Sequence, residues 1–97
     1  GTFEPVVIVS FPAINLARFA VAASSTHPAV LNAANEVLVD AFIAGEVPWL
    51  AIVDTVASVV HEHEGVADPS LDDIVAAQRW ADQRARELVR VGQWKDM

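Results

Sequence analysis

Cysteine is absent from this 97-residue chain, so neither a disulfide framework nor thiolate chemistry is available to it. No apolar run approaches the roughly 18–20 residues that span a membrane. The first residues hold no basic region followed by an apolar one, which predicts no secretory signal. Glycine-rich phosphate loops and nucleophile elbows are missing too, so no catalytic signature is visible. Together these absences favour a cytoplasmic protein.

Basic residues are scarce in the first four-fifths of the sequence. Residues 1–78 contain ten acidic residues and one basic residue, Arg18, whereas residues 79–97 contain five basic and three acidic ones. Because the net charge is −7 and a nucleic-acid interface needs a basic face, no nucleic-acid partner is expected. No membrane partner is expected either. The basic end is interpreted as the solvated face of a helix, and the acidic balance as a source of solubility.

Apolar residues are plentiful: they make up 54% of the chain and exclude a disordered one. The length fits one compact domain. Residues 1–11 predict a short extended arm, since Val6 to Val9 are all β-branched and Pro5 interrupts a regular strand. Residues 12–92 predict a helical bundle, and residues 93–97 a frayed tail.

Four amphipathic helices are predicted in this bundle from their apolar spacing and their end signals. They run from Pro12 to the turn at 24–27, from Pro28 to Ala44, from Pro48 to Glu64 and from Leu71 to Val91. Ser70 is the expected N-cap of the last helix, and Asp73 nearly completes a capping box with it. Short loops make neighbouring helices antiparallel. The predicted fold class is therefore all-α, a small antiparallel four-helix bundle preceded by a short extended arm.

Helical spacing also predicts which residues face the core of the last three helices. The sets are Leu31, Ala34, Leu38, Ala41 and Phe42; Trp49, Ile52, Val56, Val59 and Val60; and Ile74, Ala77, Ala81, Ala85 and Leu88. Three alanines in the final set predict that a partner helix approaches closely along its middle. On the exposed side, Asp82 is expected to pair with Arg86 and Arg79, and Arg84 with Glu87.

The most unusual local sequence is Asn-Ala-Ala-Asn-Glu at residues 32–36. Asn32 and Glu36 form a polar stripe with Asp40, which is either a polar site or, preferably, a solvated helix edge. Asn35 falls instead between the apolar positions 31 and 42. Because a buried amide must be hydrogen-bonded, Asn35 predicts a specific partner and a structural clamp, meaning a side chain that holds two segments together.

The histidines are the best candidates for metal ligands. His61 and His63 lie two residues apart on a predicted helix, where side chains point in different directions. The pair therefore cannot chelate one ion as histidines four residues apart do, and a zinc site near His61 is the weaker interpretation. His61 is expected to be exposed and His63 to cover the apolar face. His27, beside Pro28, is most simply a turn or capping residue.

Several segments, taken in order, carry a resemblance to a known family. They are Thr2-Phe3-Glu4-Pro5, Phe11-Pro12-Ala13 with Leu16-Ala17, residues 29–36, Ala41-Phe42-Ile43-Ala44-Gly45, residues 69–74, Trp80-Ala81 and Arg84-Ala85. In this order they resemble the C-terminal part of the deoxyxylulose phosphate reductoisomerase family. The element at residues 32–36 is the most specific of them.

The resemblance implies a function that the residues alone do not. The family rearranges deoxyxylulose phosphate and reduces it with NADPH to methylerythritol phosphate in isoprenoid synthesis, using a divalent metal such as Mg²⁺ or Mn²⁺. This chain resembles its non-catalytic C-terminal helical domain, whose implied partner is the catalytic domain that it braces, in a homodimeric parent. The family's ligands for NADPH, metal and substrate lie in its other two domains. No catalytic, cofactor-binding or metal-binding residue therefore carries over, and the isolated chain is expected to be inactive.

A second function, of a different class, follows from the residues themselves. The apolar arm Val6–Val9 would pair with another chain, and the protein would then be a stand-alone helical interaction module.

The clamp interpretation generates the first prediction. Replacing the amide by an apolar side chain, in Asn35→Leu, is expected to lower the melting temperature, because the partner of Asn35 loses its hydrogen bond. Thermal unfolding followed by circular dichroism measures the change. An unchanged melting temperature would show that Asn35 holds nothing together.

Overall fold

The computed structural model describes residues 26–96, and the regular structure there is entirely helical, with no strand in that range. Helix α1 spans His27–Ile43, α2 spans Leu50–Glu62, and α3 spans Leu71–Val91. A short 3₁₀ helix, Gln93–Asp96, follows α3. The all-α class is therefore confirmed for this part of the chain.

The three helices are the second, third and fourth that the sequence predicts. Helix α3 has the predicted bounds, α1 begins and ends one residue earlier, and α2 is two residues shorter at each end. The arm at residues 1–11 and the helix predicted from Pro12 lie outside the described residues. A four-helix bundle is therefore not confirmed, since residues 26–96 contain three α-helices. The predicted tail, 93–97, contains the 3₁₀ helix.

Local signals explain where the helices begin and end. The Ser70 Oγ accepts a hydrogen bond from the Asp73 N–H at 3.1 Å, and the Asp73 carboxylate accepts one from the Ser70 N–H at 3.0 Å. This is the capping box that the sequence predicts at the start of α3. Helix α3 ends at Gly92, whose φ of 72° is a left-handed conformation that glycine adopts without a steric penalty.

Helix α1 packs against both other helices, most extensively against α3. On α3 the stripe of Ala77, Ala81 and Ala85 is buried, as the spacing predicts, and small side chains there let the two backbones approach closely. Two surface hollows follow this contact. One joins residues 32–36 to residues 75–83, and the other joins residues 37–46 to residues 86–90, so α1 and α3 run in the same direction.

The core differs from the predicted one at several positions. On α1, Val30 and Val37 are buried, while Leu31 and Phe42 are only partly buried against the core. The prediction that Trp49 faces the core is wrong, since it is 42% exposed. The buried hydrophobic residues are Val30, Ala34, Val37, Leu38, Ala41, Val47, Ala51, Ile52, Val56, Val59, Val60, Ala77, Ala81, Ala85 and Leu88. Trp80 and Trp94 pack against this core from its edge.

One buried polar group in α2 has no counterpart in the predicted core. The Thr55 side chain is fully buried, and its hydroxyl has no hydrogen-bond partner among residues 26–96. A buried hydroxyl that gives up its hydrogen bonds with water and finds no others lowers the free energy of unfolding.

Thr55→Val is therefore expected to raise the free energy of unfolding by about 1 kcal/mol, because a methyl group takes the place of the unpaired hydroxyl. Urea unfolding measures this change in the free energy of unfolding. The matched control, Thr55→Ser, keeps the hydroxyl, removes a methyl group and is expected to lower stability by about 1 kcal/mol. A valine variant less stable than the wild type would mean that the hydroxyl has a partner.

Candidate functional site

The polar stripe of α1 lies along both hollows beside the α1–α3 contact, with Asn32 and Glu36 in the first and Asp40 in the second. Asn32 and Glu36 are exposed and line the first hollow with Ala33. Helix α3 contributes the other wall: Val75, Gln78, Arg79, Asp82 and Gln83. The solvated-edge interpretation of Asn32 and Glu36 agrees with this placement, because both side chains reach water. Amides and charges of both signs alternate around the hollow, and none of these side chains is buried.

Asn35 is half-buried and lies on the opposite flank of α1 from Ala33. Its neighbours on that flank, Leu31 and Phe42, are also half-buried. Within residues 26–96 the Asn35 side chain makes no hydrogen bond. Its role as a clamp therefore stays a prediction.

Opposite charges meet across the second hollow. Asp40 and Glu46 line it from the end of α1 and the following turn, and Arg86 and Arg90 line it from α3. The Asp82 carboxylate accepts a hydrogen bond from Arg86 Nε at 2.5 Å, as the i, i+4 spacing predicts. The pKa of Arg86 is raised, first by this hydrogen bond and then by the Asp82 charge, with further contributions from Asp40 and Glu36. The acidic edge of α1 therefore faces the basic edge of α3.

Arg84 links α3 to the end of α2. Its Nε and Nη2 donate to the two carboxylate oxygens of Glu62 at 2.8 and 3.1 Å, and its Nη1 donates to Glu87 at 2.5 Å. These hydrogen bonds, Glu62 first, raise the pKa of Arg84. The Glu87 pair is the predicted one. The Glu62 pair joins residues 22 apart, which a helical spacing rule cannot find.

A cluster that we call the histidine junction (Thr26, His27, His63 and Val66) joins the start of α1 to the α2–α3 loop. The Thr26 Oγ1 accepts a hydrogen bond from the Val66 N–H at 2.9 Å, and it lies 2.9 Å from His63 Nε2. Which of these two groups donates is set by the tautomer of His63, because Nε2 accepts only when it carries no proton. Although Thr26 precedes α1, its hydroxyl makes no capping hydrogen bond there.

The second histidine strengthens the same junction. His27 Nε2 lies 3.0 Å from the His63 carbonyl oxygen, and because a carbonyl only accepts, Nε2 of His27 carries a proton. The two imidazole rings meet edge to face with centroids 4.8 Å apart, and the ring centroid of Trp80 lies 5.5 Å from that of His63. Burial lowers the pKa of His63, and the nearby His27 lowers it further, while Glu64 opposes both effects.

Only part of this cluster is predicted by the sequence. His61 is exposed as expected, but His63 contacts His27 and Thr26, which precede it by 36 and 37 residues. Interpreting His27 as a turn or capping residue misses its burial and its contact with His63. No local spacing signals such a contact, because it depends on how α1 and α2 pack.

Two kinds of feature are missing from the part of the chain that the structure describes: a group of metal ligands and a membrane-spanning helix. Between Thr26 and Asp96, no group of three or more His, Asp or Glu side chains could hold a metal ion. The divalent metal that the family resemblance implies therefore has no fitting ligand set among residues 26–96. In the same range no helix is both long and apolar enough to cross a membrane.

Comparison with known proteins identifies the family. A model of the DXP reductoisomerase C-terminal domain matches residues 1–84. The chain belongs to this family. The resemblance carried by residues 32–36 and the segments around them is therefore confirmed. No solved structure matches the chain.

Curated relatives of this family member bear the name 1-deoxy-D-xylulose 5-phosphate reductoisomerase. The protein of Beutenbergia cavernae is 53% identical over 94% of this chain, and that of Paenarthrobacter aurescens is 49% identical over 93%. The protein of Symbiobacterium thermophilum is 50% identical over 89%. The matches cover 24%, 22% and 22% of these relatives, so the chain spans about a quarter of their length.

The histidine junction predicts that stability falls in mild acid. Unfolded histidine titrates near 6.5, and the pKa of His63 in the folded chain is lower. Below pH of about 6.5 the unfolded state therefore binds a proton that the folded state excludes, and the free energy of unfolding decreases as the pH falls towards the folded pKa.

The measurement is urea unfolding at pH 7.5 and pH 5.5. His63→Gln is expected to lose less stability between the two pH values than the wild type, whereas the control His61→Gln, at an exposed position, keeps the wild-type difference. An equal loss in wild type and His63→Gln would assign the pH dependence to other groups.

Proposed function

We propose that this chain is the C-terminal helical domain of a cytoplasmic 1-deoxy-D-xylulose 5-phosphate reductoisomerase. The observation that carries the proposal is the family match over residues 1–84, together with relatives of that name at 44–53% identity. In the parent enzyme, deoxyxylulose phosphate is rearranged and reduced to methylerythritol phosphate for isoprenoid synthesis. The parent takes NADPH and a divalent metal and is a homodimer.

The role of this domain in the parent is to brace the catalytic domain. Its described residues support a structural role, because its polar contacts join helices to one another. Arg84 holds α3 to Glu62 of α2, and Thr26 holds the start of α1 to the α2–α3 loop. Small residues bring α1 and α3 into close contact. A domain whose helices are held together by these hydrogen bonds and contacts offers a fixed surface to a neighbouring domain.

NADPH, metal and substrate are held by the parts of the parent that this chain does not contain. The polar side chains beside the α1–α3 contact, such as Asn32 and Glu36, are exposed to water. Those of the histidine junction are bonded to one another. What this chain contributes to the reaction is therefore the position of the catalytic domain, and no step of bond breaking is assigned to its residues.

Three proteins test the proposal: the complete reading frame that contains this chain, the same frame ending before residue 26, and residues 1–97 alone. Each is assayed for NADPH oxidation with deoxyxylulose phosphate and Mg²⁺. The complete protein is expected to turn over, residues 1–97 to show no turnover, and the shortened protein to lose most of its activity because its catalytic domain is no longer braced.

Two outcomes would contradict the proposal. Turnover by residues 1–97 alone would show that this domain is catalytic. Full activity in the shortened protein would show that the domain braces nothing.

A further inference from the structure

Large apolar side chains are exposed at both ends of the three-helix unit, but not equally. The described residues include Ile43, Trp49, Leu50 and Val91, exposed by 74, 42, 70 and 62%, and Val66 and Leu71, exposed by 40 and 76%. The first four, which we call the apolar patch, belong to the end of α1, the start of α2 and the end of α3. The other two belong to the α2–α3 loop and the start of α3.

The apolar patch lies at one end of the unit. The turn at residues 44–49 connects Ile43 to Trp49 and Leu50. Helix α3 reaches the same end, because its residues Val89 and Arg90 share a hollow with residues 44 and 46 of that turn. The 3₁₀ helix that follows Val91 packs against α2 as well as α3.

The turn holds the patch in a fixed position. The Glu46 N–H donates to the Ala41 carbonyl at 2.8 Å, and the Gly45 N–H donates to the Phe42 carbonyl at 2.9 Å. Val47 is buried in the core with 5% of its surface exposed. A buried valine and a hydrogen-bonded turn therefore hold the backbone between Ile43 and Leu50, so this backbone needs little ordering when the surface binds.

The two ends differ in charge: near the apolar patch Arg86 and Arg90 balance Asp40 and Glu46, whereas the residues around Val66 and Leu71 are acidic only. From residue 43 to residue 51 the sequence contains one charged residue, Glu46. From residue 64 to residue 73, around Val66 and Leu71, it contains four acids: Glu64, Asp68, Asp72 and Asp73. Centres of protein interfaces are poor in charge and rich in tryptophan. The apolar patch, which includes Trp49, has this composition, whereas the other end is suited to water.

The relatives of this chain are about four times as long as the part that it matches. This chain matches 24% of the Beutenbergia cavernae protein and 22% of the Paenarthrobacter aurescens protein, so about three-quarters of such a polypeptide is available to contact it. We propose that the apolar patch docks on an apolar surface in the remainder of the parent polypeptide. This inference rests on the proposed function and assigns the bracing contact to a particular surface.

Leu50 and Leu71 provide a matched pair for the test. Each is the first residue of its helix, each is mostly exposed, and aspartate is favourable at both positions because it complements the helix dipole. In the complete protein, Leu50→Asp is expected to lower NADPH-dependent turnover at least fivefold, while Leu71→Asp stays within twofold of the wild type. A second variant, Ile43→Lys, places a favourable cation at the end of α1 and is expected to behave like Leu50→Asp.

Hydrogen exchange tests the contact without relying on activity. In the complete protein, amides of residues 43–51 are expected to exchange at least tenfold faster in Leu50→Asp than in the wild type, and to be unaffected by Leu71→Asp. Equal effects of the two aspartates on exchange would overturn the inference. The inference would also be overturned if Leu50→Asp halved the molecular mass of the complete protein in solution without reducing its turnover. That result would show that the patch binds a second copy of the protein. If the wild-type complete protein lacks reductoisomerase turnover, the proposed function fails, yet the exchange comparison still decides whether the patch docks.

Discussion

The close approach of α1 to α3 is the constraint on which the rest of this unit depends. Small residues permit such an approach, and Ala34 on α1 and Ala81 and Ala85 on α3 are fully buried in the core. A larger side chain at any of them would have to displace a backbone, because protein interiors have no spare volume. The polar edges of both helices line the hollows beside this contact. The positions of Asn32, Glu36 and Arg86 are consequences of it.

Local signals predicted the helices well, and long-range packing explains the errors. The Ser70 capping box and Gly92 define α3 from within its own sequence, so its bounds came out as predicted. The predicted core face of α1 lay too far towards Leu31 and Phe42. Helical spacing alone does not show on which side of α1 the helix α3 packs. Val30 and Val37 are buried on that side. The contacts of the histidine junction could not be predicted from local spacing, since they join residues 36 to 40 positions apart.

The same distinction between local signals and long-range packing explains how much of the function the sequence predicts. The family was recognisable because short segments such as residues 32–36 keep their order and spacing, and the family comparison confirmed it. The structure gives a physical reason for some of the residues at positions 32–36. Ala34 is buried in the core, and Asn32 and Glu36 form a solvated edge. Asn35 is explained by neither, because it lies on the flank of α1 turned away from α3.

The two ends of the unit satisfy their exposed groups in opposite ways. At the histidine junction, hydroxyl, imidazole, amide and carbonyl groups bond to one another across α1 and the α2–α3 loop, and acids surround the neighbouring apolar residues. At the other end the backbone of the turn is bonded internally, but Leu50 and Ile43 are left in water. Hydrogen bonds made within the unit need no neighbour, whereas exposed apolar surface gains free energy when a neighbour covers it. The first end is therefore stabilised by contacts within the unit, whereas the second exposes apolar surface that is stabilised only when another surface covers it.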